Sequence, residues 1–180
     1  NQPIAGYGYL FFEDIHRAAG HTNFSGPIEI EGLNGIRVIA TEQIVSAQHT
    51  GAYLEGVDTS TAGRSLVLYS LENADFRTNL GINNLGTTTA NVTIGLVDKN
   101  GVQLGNLTTT VPAGGLTQLN RVNLAFGVAS PGANLEGTLR IEADQEIVAW
   151  TSQIDNLTQD SSFVVGKNLQ PVKLLIPSAT

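Results

Sequence analysis

The chain has 180 residues, nine Lys and Arg against sixteen Asp and Glu for a net charge of -7, and neither Cys nor Met. No disulfide framework can form without Cys, and without clustered basic residues no surface is suited to phosphate, so nucleic acid is not an expected partner. The apolar runs, such as Tyr9 to Phe12 and Leu174 to Ile176, fall far short of the roughly 20 residues that cross a bilayer as a helix.

In chain order, IAGYGYLFF over residues 4–12 reads as a Gly-spaced aromatic strand, and Glu13 to Gly20 as a single helical turn ended by glycine. From Pro27 the pattern becomes strands: PIEIE alternates, GIRVIATEQIVSAQ is long and β-branched, and AYLEGV is short. Asp58 to Arg64 (DTSTAGR) reads as a linker and a domain boundary. The stretch from Ser65 to Val111 organises the rest. In it Phe76, Thr78, Leu80 and Ile82 share one face while Arg77, Asn79, Gly81 and Asn83 share the other, the period-2 alternation of a half-buried strand. Asn84-Leu85-Gly86 is a turn, and Asp98-Lys99-Asn100-Gly101 predicts a hairpin because Asn-Gly accepts positive φ. Pro112 to Gly115 breaks the ladder and leads into LTQLNRVNL; residues 125–134 form a loop. Four more strands follow in GTLRIEA, EIVAWTSQID, SSFVVG and VKLLIP. About twelve short strands with little helix predict an all-β chain, an antiparallel β-sandwich of immunoglobulin-like type.

The chain also resembles itself. Ile15 and Gly20 match Val122 and Gly127 at a separation of 107 positions, Ile28 and Ile30 match Leu139 and Ile141 at 111, and Thr41, Gln43, Ile44, Tyr53 and Gly56 match Thr151, Gln153, Ile154, Phe163 and Gly166 at 110. Leu66-Val67-Leu68 matches Leu174-Leu175-Ile176 at 108. The offsets drift in loops, where a diverged duplication absorbs insertions. The expectation is about one and two-thirds copies of a roughly 108-residue repeat: residues 1–62 as an incomplete first copy, and residues 63–180 as a complete copy plus a terminal strand.

FRTNLGINNLGTTTANVTIGLVDKNGVQLG, the VPAGG turn and a later strand ending in Asp155-Asn156 before Thr158 together resemble β-sandwich modules found in tandem in large exported bacterial proteins. Those modules carry an FRTNLG strand, a DADG-type hairpin and a closing strand with a VDN-type end, and the similarity covers about residues 64–166. The resemblance implies an accessory, non-catalytic role. Against that pattern the chain starts mid-module, at Asn1 rather than Met, which predicts a processed or excised product.

Candidate chemistry is sparse. Glu13, Asp14, His16 and His21 lie close in sequence, but His-x4-His lacks the i, i+4 spacing of a helical zinc pair, and a solvated turn is expected. His49 is a lone candidate general base. Asp155, Asn156 and Asp160 could offer oxygens to calcium, or simply cap a strand end. Glu142, Asp144 and Glu146 are the carboxylates a glycoside hydrolase would need, yet they alternate as a solvated strand face does. Trp150, the one tryptophan, is expected to pack between the sheets; its functional alternative is a sugar-stacking platform, although such sites generally need several exposed aromatics and after Phe126 only Trp150 and Phe163 remain. Asn23, Asn91, Asn106 and Asn156 begin Asn-x-Ser/Thr triplets, the acceptor pattern for glycosylation in a eukaryotic secretory setting.

These readings leave no catalytic, cofactor or metal residues to assign. They converge on a non-enzymatic extracellular or cell-surface protein, structural or adhesive, whose partners are neighbouring modules or further copies of itself. One version is a fibre subunit assembling by strand exchange, with Ile4 to Phe12 as the inserting strand. The alternatives are a carbohydrate-binding accessory module of a secreted hydrolase, with a surface polysaccharide as partner, and a small hydrolase.

Overall fold

A computed structural model describes residues 2–22, 26–45, 51–128 and 133–168. In chain order the described elements are α1 (Ile15–Ala18), β1 (Thr41–Val45), β2 (Gly51–Glu55), β3 (Gly63–Glu72), β4 (Phe76–Asn84), β5 (Ala90–Asp98), β6 (Gln103–Val111), β7 (Leu116–Leu119), α2 (Val122–Ala125), β8 (Leu135–Asp155), β9 (Ser161–Val165) and β10 (Lys167–Asn168). All strand pairs are antiparallel.

The chain is an all-β sandwich hinged on one strand. Along its first half β8 lies between β3 and β5, with Ile141 opposite both Leu66 and Ile94. Along its second half it lies between β4 and β9, with Trp150 opposite Gly81 and Val165. One sheet therefore runs β10-β3-β8-β5-β6 and the other β9-β8-β4-β7. The switch falls where the register against β3 jumps: Ser65 faces Glu142, but Gly63 faces Ile147. A bulge of this kind bends a strand and lets it turn a sandwich corner.

Two separate strands are expected over 137–143 and 146–155; instead β8 runs unbroken for 21 residues. The polar ADQE segment marks a change of sheet rather than a change of direction. The predicted β5–β6 hairpin forms, but its loop is longer than a two-residue turn. The Asp98 carboxylate accepts the amides of Asn100 (2.8 Å) and Val102 (2.8 Å), and Gly101 takes φ 82°. At the β4–β5 connection Asn84 is buried; its amide donates to the carbonyls of Thr88 and Val111, and its oxygen accepts from Gly86.

Alternation explains the core. Leu66 and Leu68 on β3, Leu80 and Ile82 on β4, Val92, Ile94 and Leu96 on β5, and Leu139, Ile141, Ile147 and Ala149 on β8 turn inward and form one cluster. Burying such side chains stabilises by about 1.5–3 kcal/mol each before entropy is counted. Val122 of α2 joins the cluster, so LTQLNRVNL divides into the strand β7 and the start of one helical turn.

The first third departs most from expectation. Residues 4–12 and 27–40 form no strand. Ala5 and Gly8 close a turn with Tyr7 at φ 59°, and Leu33–Gly35 makes a 3-10 turn with Asn34 at φ 59°, which interrupts the ladder pattern twice. No strand pairs with 27–40 among the described residues, and unpaired backbone has nothing to hold it in a ladder. Only the β1–β2 hairpin forms there, with β2 beside β9. The expected terminal strand VKLLIP lies outside the described residues.

Candidate functional site

The β8–β9 turn binds itself. Asp155 Oδ1 accepts the amides of Leu157 (2.7 Å) and Thr158 (2.8 Å), which lowers the carboxyl's pKa. Asn156 reaches across to the β3–β4 turn, donating to the Ala74 carbonyl (3.0 Å) and accepting from Arg77 (2.9 Å). Arg77 also donates to Gln159 (2.8 Å). An Asx cap thus accounts for Asp155, Asn156 clamps the two turns together, and Asp160 takes part through its backbone, its carbonyl accepting from the Asp155 amide (2.9 Å).

The three carboxylates of the β8 corner serve different neighbours. Glu142 accepts from the Ser65 hydroxyl (2.6 Å). Asp144 accepts from both the side-chain amide (2.7 Å) and the backbone amide (2.8 Å) of Asn91, and these bonds lower its pKa. Glu146 stays exposed while its backbone carbonyl accepts from Leu85. An acid and base flanking one glycosidic oxygen must face a common space; these side chains are exposed on the outer face of β8, out of phase with its buried Ile141 and Ile147, and two of them are bonded to different neighbouring strands.

Trp150 sits on the outer face of the second sheet, not between the sheets. Ile147 and Ala149 turn into the core, so alternation turns Trp150 outward. Its ring lies across Gly81, stacks on Phe163 with centroids 4.7 Å apart at 29°, and donates Nε1–H to Asn83 (3.2 Å). The half-buried pair forms an aromatic ledge held by three strands. Phe126, by contrast, packs against the core.

The remaining candidates have local structural duties. Asp14 caps α1 by accepting from the Arg17 amide (2.9 Å), and His16 lies in the same turn. Among the described residues no three His, Cys, Asp or Glu side chains gather to hold a metal. His49 and Asn23 lie outside the described residues. The Asn91 and Asn156 side-chain nitrogens are donors in the bonds above, and the Asn106 oxygen accepts from Gln103 (2.7 Å).

One cluster escaped sequence reasoning. Ser70 and Glu72 continue the inward row of β3 and are fully buried, as is Asn123 of α2. Glu72 forms an ion pair with Arg121, Asn123 donates to Ser70 (3.2 Å), and the Arg121 amide donates to Asn79 (3.0 Å). Glu72 Oε2, Arg121 Nε and Asn123 Oδ1 have no protein partner, which suits a bridging water. This polar plug ties α2 to the end of β3. The signal was available: a Glu in phase with Leu66 and Leu68 predicts a buried carboxylate that needs a cation.

Among the described residues most of the exposed large apolar side chains fall in the first third, including Tyr7, Tyr9, Phe11, Ile28, Ile30, Ile36, Val38 and Ile39, where such side chains gathered in one segment point to a contact surface. No described helix is long and apolar enough to cross a membrane.

No protein-family profile matches the chain, and no curated protein is similar to it. Among solved structures, the crystal structure of Thermotoga maritima 1070 is 15% identical and aligns over 59% of this chain and 94% of that one, with a TM-score of 0.48. That likeness is too slight to bear on function.

Proposed function

We propose that this protein is a non-enzymatic structural or adhesive element of an extracellular surface, a β-sandwich module that works through contact with neighbouring modules or further copies of itself. The observation that carries this reading is the exposed apolar row of the first third, set beside a sandwich whose polar side chains are engaged in holding turns and corners. A chain of such modules would act mechanically, and weak contacts repeated along it would sum through avidity. Light scattering after size exclusion, with negative-stain imaging, tests it. Concentration-dependent assemblies that disappear when Tyr7, Tyr9 and Phe11, all exposed and all outside residues 27–45, are changed to Ser are expected. A monomer at all concentrations, with an unchanged profile for that variant, would overturn the self-contact version.

A second reading, a carbohydrate-binding module, is favoured by the outward position of the Trp150–Phe163 ledge, since stacked aromatic faces suit sugar rings. Titration with a polysaccharide panel while following Trp150 emission decides it. A saturable shift supports sugar binding, and no response across the panel removes it.

A further inference from the structure

We infer that residues 27–45 are a docking strand for an incomplete sandwich of the β3–β6 pattern, four strands of which only β5 and β6 pair with each other and the others are joined through a strand in the place of β8. The inference deepens the structural-element reading and rests on it, because it names what the exposed apolar row contacts. Three local geometries in the first third recur in the complete sandwich, two of them at the separation of 107 seen in the sequence and the third, a hairpin, with its first strand one residue off the sequence match. The Gly8 amide donates to Ala5 (2.8 Å) with Tyr7 at φ 59°; 107 positions on, Gly115 donates to Pro112 (3.0 Å) with Gly114 at φ 60°. Helix α1 over 15–18 precedes Gly20, which donates to Arg17 (3.0 Å) at φ 85°; 107 positions on, α2 over 122–125 precedes Gly127, which donates to Leu124 (3.0 Å) at φ 68°. The β1–β2 hairpin has five pairs and is closed by Gly56 donating to Ala40 (2.8 Å); the β8–β9 hairpin has five pairs and is closed by Gly166 donating to Ala149 (2.7 Å). Tyr7 stands at a positive φ that glycine adopts in the other copy, so the first turn keeps its geometry against local preference.

Burial then shows what is missing. Ile28 and Ile30 are 40% and 55% exposed, while their counterparts Leu139 and Ile141 are both 0% exposed. Leu139 and Ile141 owe that burial to β3 on one side and β5 on the other. Residues 27–40 have neither. The occupant is thus a sheet with inward rows like Leu66-x-Leu68 and Val92-x-Ile94-x-Leu96. A second copy of this chain does not supply it, since β8 already fills the one such unit among its described residues. The Ala5–Gly8 turn matches the Pro112–Gly115 turn from β6 to β7, which fixes where a graft of such strands must join.

The test places a second copy of residues 63–110 directly ahead of Ile4 in the full chain and follows amide hydrogen exchange by mass spectrometry. Exchange over 27–45 should slow by roughly a hundredfold or more, approaching that of β8, and dye binding to exposed apolar surface should fall. The same graft carrying Ile28→Asp and Ile30→Asp should stay open. Unchanged exchange over 27–45, whether or not the grafted strands are protected, overturns the inference. So does protection in the ungrafted chain that grows with its concentration, because that assigns the strand to a second copy. If 27–45 closes on grafting while no assembly of any chain is seen, the docking strand stands and the self-contact reading falls.

Discussion

Gly81 is the position where one added carbon tests the architecture of the outer face. A Cβ there would lie 2.1 Å from both Cε2 and Cζ2 of Trp150 and 2.7 Å from Cη2, against the roughly 3.5–4.0 Å at which carbon atoms rest. Phe163 is stacked on the ring, and the indole nitrogen is bonded to Asn83, so the ring cannot withdraw without giving up both. Overpacking of this kind costs about 1–3 kcal/mol, the hydrogen bond about 1 kcal/mol, and the stack about 0.5–1.5 kcal/mol. Against these, Ala in place of Gly in a strand gains about 0.5–1 kcal/mol. Gly81→Ala should therefore destabilise by about 2–4 kcal/mol, a drop of roughly 1–2 M in the urea midpoint, and should shift Trp150 emission to the red. Gly95, also mid-strand, is the control: its added Cβ would meet nothing nearer than Asn106 Oδ1 at 3.3 Å, so Gly95→Ala should stay within about 0.5 kcal/mol of the parent or exceed it. Equal losses at both positions, or a Gly81→Ala protein with unmoved emission, would refute the account of the ledge.

Arg121→Met should remove the cation from a Glu72 that stays buried; the loss should fall near the lower end of about 3–5 kcal/mol, because the Arg121 side chain keeps 35% exposure. Pairing it with Glu72→Met should recover most of the loss in urea melts, whereas a purely additive double variant would deny the coupling. Asp98, Asp144 and Asp155 all have lowered pKa values, through the Val102 amide, the Asn91 side chain and the Thr158 amide respectively. Depressed folded values mean that their contribution is present above the unfolded carboxyl value of about 3.9 and disappears as the pH falls through the folded values. The urea midpoint should thus decline between about pH 5 and pH 2, and Asp155→Ala should flatten that decline. Ile141→Ala should cost about 2–5 kcal/mol, while Ile30→Ala at the aligned position should change global stability by less than about 0.5 kcal/mol; comparable losses at the two would mean that residue 30 is already packed.

The inward row of β4 was legible because that strand is half-buried and buries Thr78, Leu80 and Ile82 at every second position, which a sequence displays directly. Turns were legible where backbone geometry demands a residue type, as at Gly101 and in the Asp155 cap. The failures share a cause. Whether ADQE turns the chain or lets β8 change sheets depends on β3 and β4, which lie far away in sequence, and so does the side of the sheet that Trp150 takes. Local pattern also could not say that 27–40 stays unpaired: Ile28, Ile30, Ile36 and Val38 have the composition of a strand, and composition specifies a half-interface only.

That half-interface bears on how the complete sandwich holds together. Strand β8 is bonded on both sides along nearly its whole length, by β3 and β5 and then by β4 and β9, so its order is conferred by four other strands rather than by its own propensity. Residues 27–45 have a similar apolar content and one partner strand, β2, and only the five residues of β1 are in a ladder. The same kind of segment is thus a rigid hinge in one context and an open row in the other. The difference is the presence of β3–β6, which is why the grafting experiment adds those strands and leaves residues 27–45 untouched.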